Sequence, residues 1–268
     1  MSPLTKRIIT AALLIPLVVL AIFYLPLPFF AAIITVITLM AAWEMANLFW
    51  QKRLWLRIFF LCSIAVLSYG VEILPPLPVL ILAGLWWLSV LYFLSCYKQG
   101  KYYFSNYPIQ FSVGVLTFIP FLVGVLVLRF LFGPLYLLFV LTIIWAADIG
   151  AYFSGRFWGK HLLAEKISPK KTIEGVMGGM ITALIVASIA GFVLHLNEPS
   201  FAIWLLLTIV VVLWSIVGDL FESMLKRVAG VKDSSHLLPG HGGIYDRIDS
   251  LTAAIPLFSL GLLVLGKF

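Results

Sequence analysis

The sequence predicts an all-α fold: a polytopic integral membrane helical bundle of about nine transmembrane helices, with the N-terminus on the cytoplasmic side. Three observations carry that prediction. Of the 268 residues, 63% are hydrophobic and only 11% charged, against about 25% charged in a soluble domain, so the chain cannot face water all round. Continuous apolar runs of spanning length fall at roughly 8–25, 29–49, 54–73, 77–96, 109–128, 133–152, 173–195, 201–220 and 251–266. Lys and Arg fall in the short connections between those runs, nearly all on one side of the membrane. Because the runs are continuous and do not alternate, a β-barrel is excluded.

Taken in order, the first run follows Lys6 and Arg7, the basic-then-apolar layout of a signal peptide. Its length suits a span and no small-residue cleavage site follows, so an uncleaved first helix is expected. The corner Leu25-Pro26-Leu27-Pro28 makes the first two spans a tight antiparallel pair. Pro75, Pro76 and Pro78 mark another turn, and Gly133-Pro134 a third. Cys62 and Cys96 lie far apart in apolar runs without ligand spacing, and read as small buried residues.

With the N-terminus inside, the inner connections hold Lys6, Arg7, Lys52, Arg53, Arg57, Lys98, Lys101, Arg156, Lys160, Lys166, Lys170, Lys171, Lys226, Arg227, Lys232 and Arg247. Only Arg129 and Lys267 fall outside. The net charge of +7 therefore reports topology. No basic stretch is long enough to track a nucleic acid, and no nucleic-acid partner is expected. The loops 153–172 and 221–250 both face the cytoplasm, where nucleotides and Mg²⁺ are available. Residues 1–140 carry only Glu44 and Glu72 as acids, so they read as an N-terminal transmembrane scaffold. Residues 141–268 read as the catalytic transmembrane region of one integrated membrane domain.

The densest polar stretch runs from Asp219 to Asp249 and holds four of the five aspartates. Charges brought towards a bilayer cost a few kcal/mol each, which makes such a cluster a site hypothesis by default. If the eighth helix continues past Asp219, then Asp219, Glu222, Ser223 and Lys226 share one face. Downstream, His241-Gly242-Gly243 precedes Asp246, Arg247 and Asp249. The glycines let the backbone approach a ligand closely. One of the acids could cap the ninth helix, but two beside Asp219 suit Mg²⁺ and its phosphate ligands better. His241 reads as a hydrogen-bonding or phosphate-contacting residue. Upstream, Ser168-Pro-Lys-Lys-Thr-Ile-Glu-Gly reads as a helix start, which would place Lys170, Lys171 and Thr172 at a positive helix end suited to phosphate. No Walker-type loop, HExxH or nucleophile elbow is present. The pattern points to metal-assisted phosphate chemistry without a covalent intermediate.

The run Ser223-x-Leu-Lys226-Arg227-x4-Lys232-Asp233-x-Ser235-x2-Leu238-Pro239-x-His241-Gly242-Gly243-Ile244-x-Asp246-Arg247-Ile248-Asp249 resembles the C-terminal pattern of the phosphatidate cytidylyltransferases. Asp148-x-Gly-Ala-Tyr and Ser-Pro-Lys-Lys-Thr-x-Glu-Gly are similar to that family too, with Ile173 where an aromatic is expected. The resemblance covers roughly 145–250; residues 1–140 share only their hydrophobic spans. It implies a reaction in which CTP and phosphatidate give CDP-diacylglycerol and pyrophosphate with Mg²⁺, a second cation being possible, in phospholipid synthesis at a bacterial inner membrane.

On that basis Asp219, Asp246, Lys226 and Arg247 are expected to be catalytic. Asp219 and Asp246 would hold the metal, with Asp249 as a third ligand or behind it. Lys170, Lys171, Thr172, Ser223, Arg227, Lys232, His241, Gly242 and Gly243 would bind substrate phosphates. A homodimer is compatible with the sequence. The alternatives are a CTP-dependent lipid kinase of the polyprenol type, which would need a base for its alcohol, and an ion transporter. The transporter reading fits poorly with charges crowded at one edge and no internal repeat.

Overall fold

A computed structural model describes residues 3–71, 74–97, 104, 106–194, 198–235, 237 and 242–266. His241 lies outside the described residues. Among them the chain forms nine α-helices, one on each predicted apolar run: α1 (Pro3–Tyr24), α2 (Leu27–Trp50), α3 (Leu54–Gly70), α4 (Pro76–Ser95), α5 (Tyr107–Val127), α6 (Pro134–Trp158), α7 (Ile173–Val193), α8 (Glu198–Ala229) and α9 (Tyr245–Leu265). A π turn, Leu128–Phe132, extends α5. Seven helices are long and apolar enough to cross a membrane, α3 and the described apolar part of α1 being shorter. The chain is a multi-pass membrane protein.

Lipid offers little hydrophobic drive for helix association, so close packing has to supply it. On α7 the two sides of the helix divide accordingly. Gly175, Gly179, Ala183, Ala187 and Gly191 are buried at intervals of four, while Ile173, Met177, Ile181, Ile185 and Ile189 form the exposed row. The small row lets α6 and α7 pack along their length; a Cβ on Gly179 would come within 2.7 Å of the Ala147 carbonyl oxygen.

α8 is held from the other side by Phe221, which sits edge-on to both Trp86 and Trp87 of α4 at 5.7 Å. Burying Phe221 turns the opposite side of α8, with Asp219, Glu222, Ser223 and Lys226, towards the polar end of the bundle. α9 threads the middle, packed on α8, α6, α5, α4 and α2. The N-terminal and C-terminal halves therefore interlock.

Three expectations change. Half of the 221–250 stretch is helical, because α8 runs on to Ala229 and α9 begins at Tyr245. A hydropathy reading ends a helix where the apolar run ends, whereas backbone hydrogen bonding continues. Likewise 153–172 holds the end of α6 and an antiparallel hairpin, β1 (Leu162–Ala164) and β2 (Ser168–Thr172). No helix starts at Ser168: Ser168–Thr172 is strand, and the helix opens at Ile173 with Thr172 as its cap. The hairpin base is tied by Glu174, which accepts the Lys160 and His161 amides and meets His161 Nδ1 at 2.6 Å. Finally, Cys62 is exposed and Cys96 half-buried, both free thiols, so neither is the buried residue expected.

Candidate active site

The site lies where the ends of α2, α6 and α8 meet the beginnings of α7 and α9. Its open part is a cleft of about 210 Å³ lined by Asp148, Tyr152, Lys170, Lys171, Thr172 and Gly175, with Ala147, Val176, Val212 and Ile216 as an apolar wall. Extended backbone at Thr172 lets its hydroxyl accept the Gly175 amide at 3.1 Å, starting α7. The strand carries Lys170 and Lys171 to the lip of that helix start. Lys171 Nζ reaches Asp219 Oδ2 at 2.5 Å, and Ser223 Oγ donates to Asp219 Oδ1 at 3.3 Å.

Asp219 stands beside α9 because residue 218 is glycine. A Cβ on Gly218 would come within 2.6 Å of the Asp249 carbonyl oxygen, so the α8 and α9 backbones touch there. Asp219 is thereby an electrostatic neighbour of Asp249 as well as of Asp148, and Lys171 is near all three. Arg247, exposed on the first turn of α9, contributes positive charge at Asp148.

The second part is closed. Asp246 Oδ2 accepts from the Ser234 amide (3.0 Å), the Ser234 hydroxyl (2.7 Å) and the Gly243 amide (2.7 Å), and Oδ1 accepts from Lys226 Nζ at 2.7 Å. Lys226 also pairs with Glu222, whose side chain is fully buried. Behind the loop stands Glu44 of α2, accepting from Ser235 Oγ (2.6 Å), Ile244 N (3.0 Å) and Tyr245 N (2.7 Å), with Ser234 Oγ at 3.1 Å. The Tyr245 amide that opens α9 and the Ile244 amide before it are thus answered by Glu44, a favourable arrangement at a helix N-terminus.

The structure brings Lys170, Lys171 and Thr172 to the cleft, with Asp219 against Lys171, Ser223 against Asp219, and Asp249 and Arg247 close by. It pairs Lys226 with Asp246 in the closed part. Lys226 lies between two carboxylates, and Asp246 ties the loop through the Ser234 and Gly243 amides. Arg227 Nε donates to the Ile167 carbonyl at 3.3 Å, joining α8 to the hairpin, and Lys232 is exposed on the loop. Gly242 takes φ +77°, and a Cβ on Gly243 would strike Ser234 Oγ and Glu44 Oε2; both glycines shape the loop. Asp148, Glu222, Ser234 and Glu44 join the site beyond the predicted set. The signal for Glu44 was available, since a carboxylate inside an apolar run needs a partner.

Among the described residues no three His, Cys, Asp or Glu side chains form a metal-ligand set. Asp246 accepts on both oxygens, from Lys226 and from the loop, as Asp219 does from Lys171 and Ser223. Asp219 and Asp249 fit Mg²⁺, which takes one or two carboxylates and leaves the rest of its sphere to water and substrate phosphates. With Asp148 they set three carboxyl groups near Lys171, with Arg247 beside Asp148.

A helical membrane protein whose polar end joins a lysine-lined helix start to paired aspartates belongs to the class that handles phosphates at a bilayer surface. The chain is a member of the cytidylyltransferase family, matched over residues 5–265. It is 40% identical to the phosphatidate cytidylyltransferase of Pseudomonas aeruginosa, over 98% of each chain. With that of Haemophilus influenzae it shares 39% identity, over 96% of this chain and 97% of the other. A Staphylococcus saprophyticus phosphatidate cytidylyltransferase is 47% identical over about half of each chain.

Proposed function

We infer that the chain transfers the cytidylyl group of CTP to phosphatidate, releasing pyrophosphate and forming CDP-diacylglycerol. The observation that carries this reading is the cleft itself, with Lys170, Lys171 and the start of α7 on one wall and Ala147, Val176, Val212 and Ile216 on another. Its volume of about 210 Å³ is below the roughly 300–1,000 Å³ of a pocket that swallows a whole ligand. It suits phosphates and a head group, with the acyl chains left in the bilayer.

A phosphate oxygen of phosphatidate attacks the α-phosphorus of CTP in line; the new P–O bond forms as the bond to the β-phosphate oxygen breaks, and pyrophosphate carries the charge away. Phosphatidate is already ionised, so no strong base is needed. Positioning and charge neutralisation do most of such a reaction's work. Lys170 and Lys171 hold phosphate at the α7 N-terminus, with Lys171 exchanging its Asp219 partner for substrate. Arg247 and Lys232 receive the outer phosphates, and Arg227 holds the hairpin that carries the lysines. Asp219 and Asp249 would hold Mg²⁺, which supplies neutralisation of phosphate charge.

The discriminating measurement uses purified protein with phosphatidate and CTP labelled at the α- or the γ-phosphate. Label from the α position should enter the lipid, and label from the γ position should leave as pyrophosphate. Transfer of γ label to a lipid alcohol would replace this reading by a kinase. The cation bias of the connections supports a cytoplasmic active site and N-terminus. In a background without Cys62 and Cys96, Asp233→Cys on the exposed part of the loop should react in inverted vesicles and stay protected in intact cells. The opposite labelling would reverse the topology.

A further inference from the structure

Glu44 belongs to α2, far in sequence from the 230–244 loop, yet it is only 4% exposed and all its described contacts go to that loop and the first residue of α9. Its two oxygens are shared out. Oε1 takes the Ser235 hydroxyl and the Ile244 amide, while Oε2 takes the Tyr245 amide and lies 3.1 Å from Ser234 Oγ. The Ser234 hydroxyl has one proton and lies closer to Asp246 Oδ2, at 2.7 Å. It therefore bridges the two carboxylates that hold the loop. Gly243 passes between them where no Cβ could fit. Tyr245, whose amide Glu44 receives, is itself buried edge-on against Phe118 at 5.3 Å.

These contacts set where α9 begins. A slip of one residue in the first turn would rotate every following side chain by about 100°. Arg247 would leave the Asp148 side of the cleft, and Asp249 would leave Asp219. A carboxylate that accepts two adjacent backbone amides at a helix N-terminus selects one starting register, because any other leaves a buried charge unpaired.

We propose that Glu44 is a positioning residue for the reaction: a buried anion on the N-terminal helices that fixes the loop and the first turn of α9, and through them aims Arg247 and Asp249 at the substrates. It touches neither substrate. The proposal rests on the cytidylyl-transfer reading, and its test separates the two.

The test compares full-length native protein with Glu44→Gln, Glu44→Asp and Ser235→Ala in lipid nanodiscs. Glutamine keeps the shape but turns an NH₂ towards one of the two backbone amides. A misplacement of about 1 Å can cost a hundredfold in rate, so Glu44→Gln is expected to lose about that much in kcat. Glu44→Asp, which keeps the charge on a shorter stem, should recover about tenfold of the loss, and Ser235→Ala should lose less than either, by the same reasoning on misplacement. Amide hydrogen exchange at Ile244 and Tyr245 should quicken in Glu44→Gln while Ala253–Ile255 in the middle of α9 stays as in the native protein.

The control is Gln110→Leu, which removes a buried side chain that bonds Trp50 and the Phe104 carbonyl away from the loop, brought by temperature to the same unfolded fraction as Glu44→Gln. An equal loss of kcat in that control, or Glu44→Gln turning over within threefold of native, would overturn the positioning role. If native protein makes no CDP-diacylglycerol, the reaction reading fails. The exchange pattern then still decides whether Glu44 sets the start of α9.

Discussion

The two halves of the polar end carry similar chemistry and differ in how it is satisfied. In the closed half, the Lys226 and Asp246 side chains are 12% and 5% exposed, and Asp246 has a donor for each oxygen. In the open half, the Lys171 and Asp219 side chains are 27% and 31% exposed. There Lys171, with Arg247 nearby, stands among Asp148, Asp219 and Asp249. A buried, fully bonded ion pair gains nothing by exchanging partners, whereas an accessible pair can trade one for a phosphate at small cost. A lysine and an aspartate in contact are thus held fast in one place and left accessible in the other.

Substitutions should part the halves accordingly, Asp219→Asn having the largest effect. If Asp219 holds Mg²⁺ as proposed, its removal should cost several kcal/mol of transition-state stabilisation, or about a thousandfold in turnover, with melting temperature nearly unchanged. Turnover within tenfold of native, measured with CTP and phosphatidate, would move the reactive centre elsewhere. EDTA should abolish activity, and Mg²⁺ should restore it better than Ca²⁺ at equal concentration, because Ca²⁺ coordinates more loosely.

Lys226→Met comes next, and its main readout is stability. Leaving Glu222 and Asp246 without their cation should lower the unfolding free energy by about 3 kcal/mol, measured by denaturant titration in mixed micelles. Lys171→Met should shift the same titration by less than about 1 kcal/mol, as expected of a more exposed pair. Equal shifts would erase the distinction between the two pairs.

For the Lys170→Ala/Lys171→Ala double variant, losing charge-assisted contacts of about 1.5–3 kcal/mol should raise the apparent KM for CTP or phosphatidate tenfold or more. Unchanged KM values for both would return the two lysines to the role of topology markers. The smallest effect belongs to Ser223→Ala, whose 3.3 Å contact to Asp219 should be worth less than about tenfold in kcat.

Much of this protein was legible in its sequence. Nine apolar runs became nine helices among the described residues, because the bilayer leaves a spanning backbone few ways to satisfy its polar groups. The side of α8 bearing Asp219, Glu222, Ser223 and Lys226 followed from spacing alone, and the motif between Ser223 and Asp249 pointed to the family that the whole-chain comparison bears out. What spacing could not do was assign partners. Asp219 and Asp246 look alike in sequence, each an acid near a lysine, and only the fold places one beside Lys171 in an open cleft and the other against Lys226, Ser234 and Gly243. Glu44 shows the limit most plainly. Its partners, Ile244 and Tyr245, lie about two hundred positions away. Local pattern follows from helix period and hydropathy, which a sequence displays directly; which charges neutralise one another depends on how close helices approach, and at Gly218 and Gly243 that approach was decided by tertiary packing.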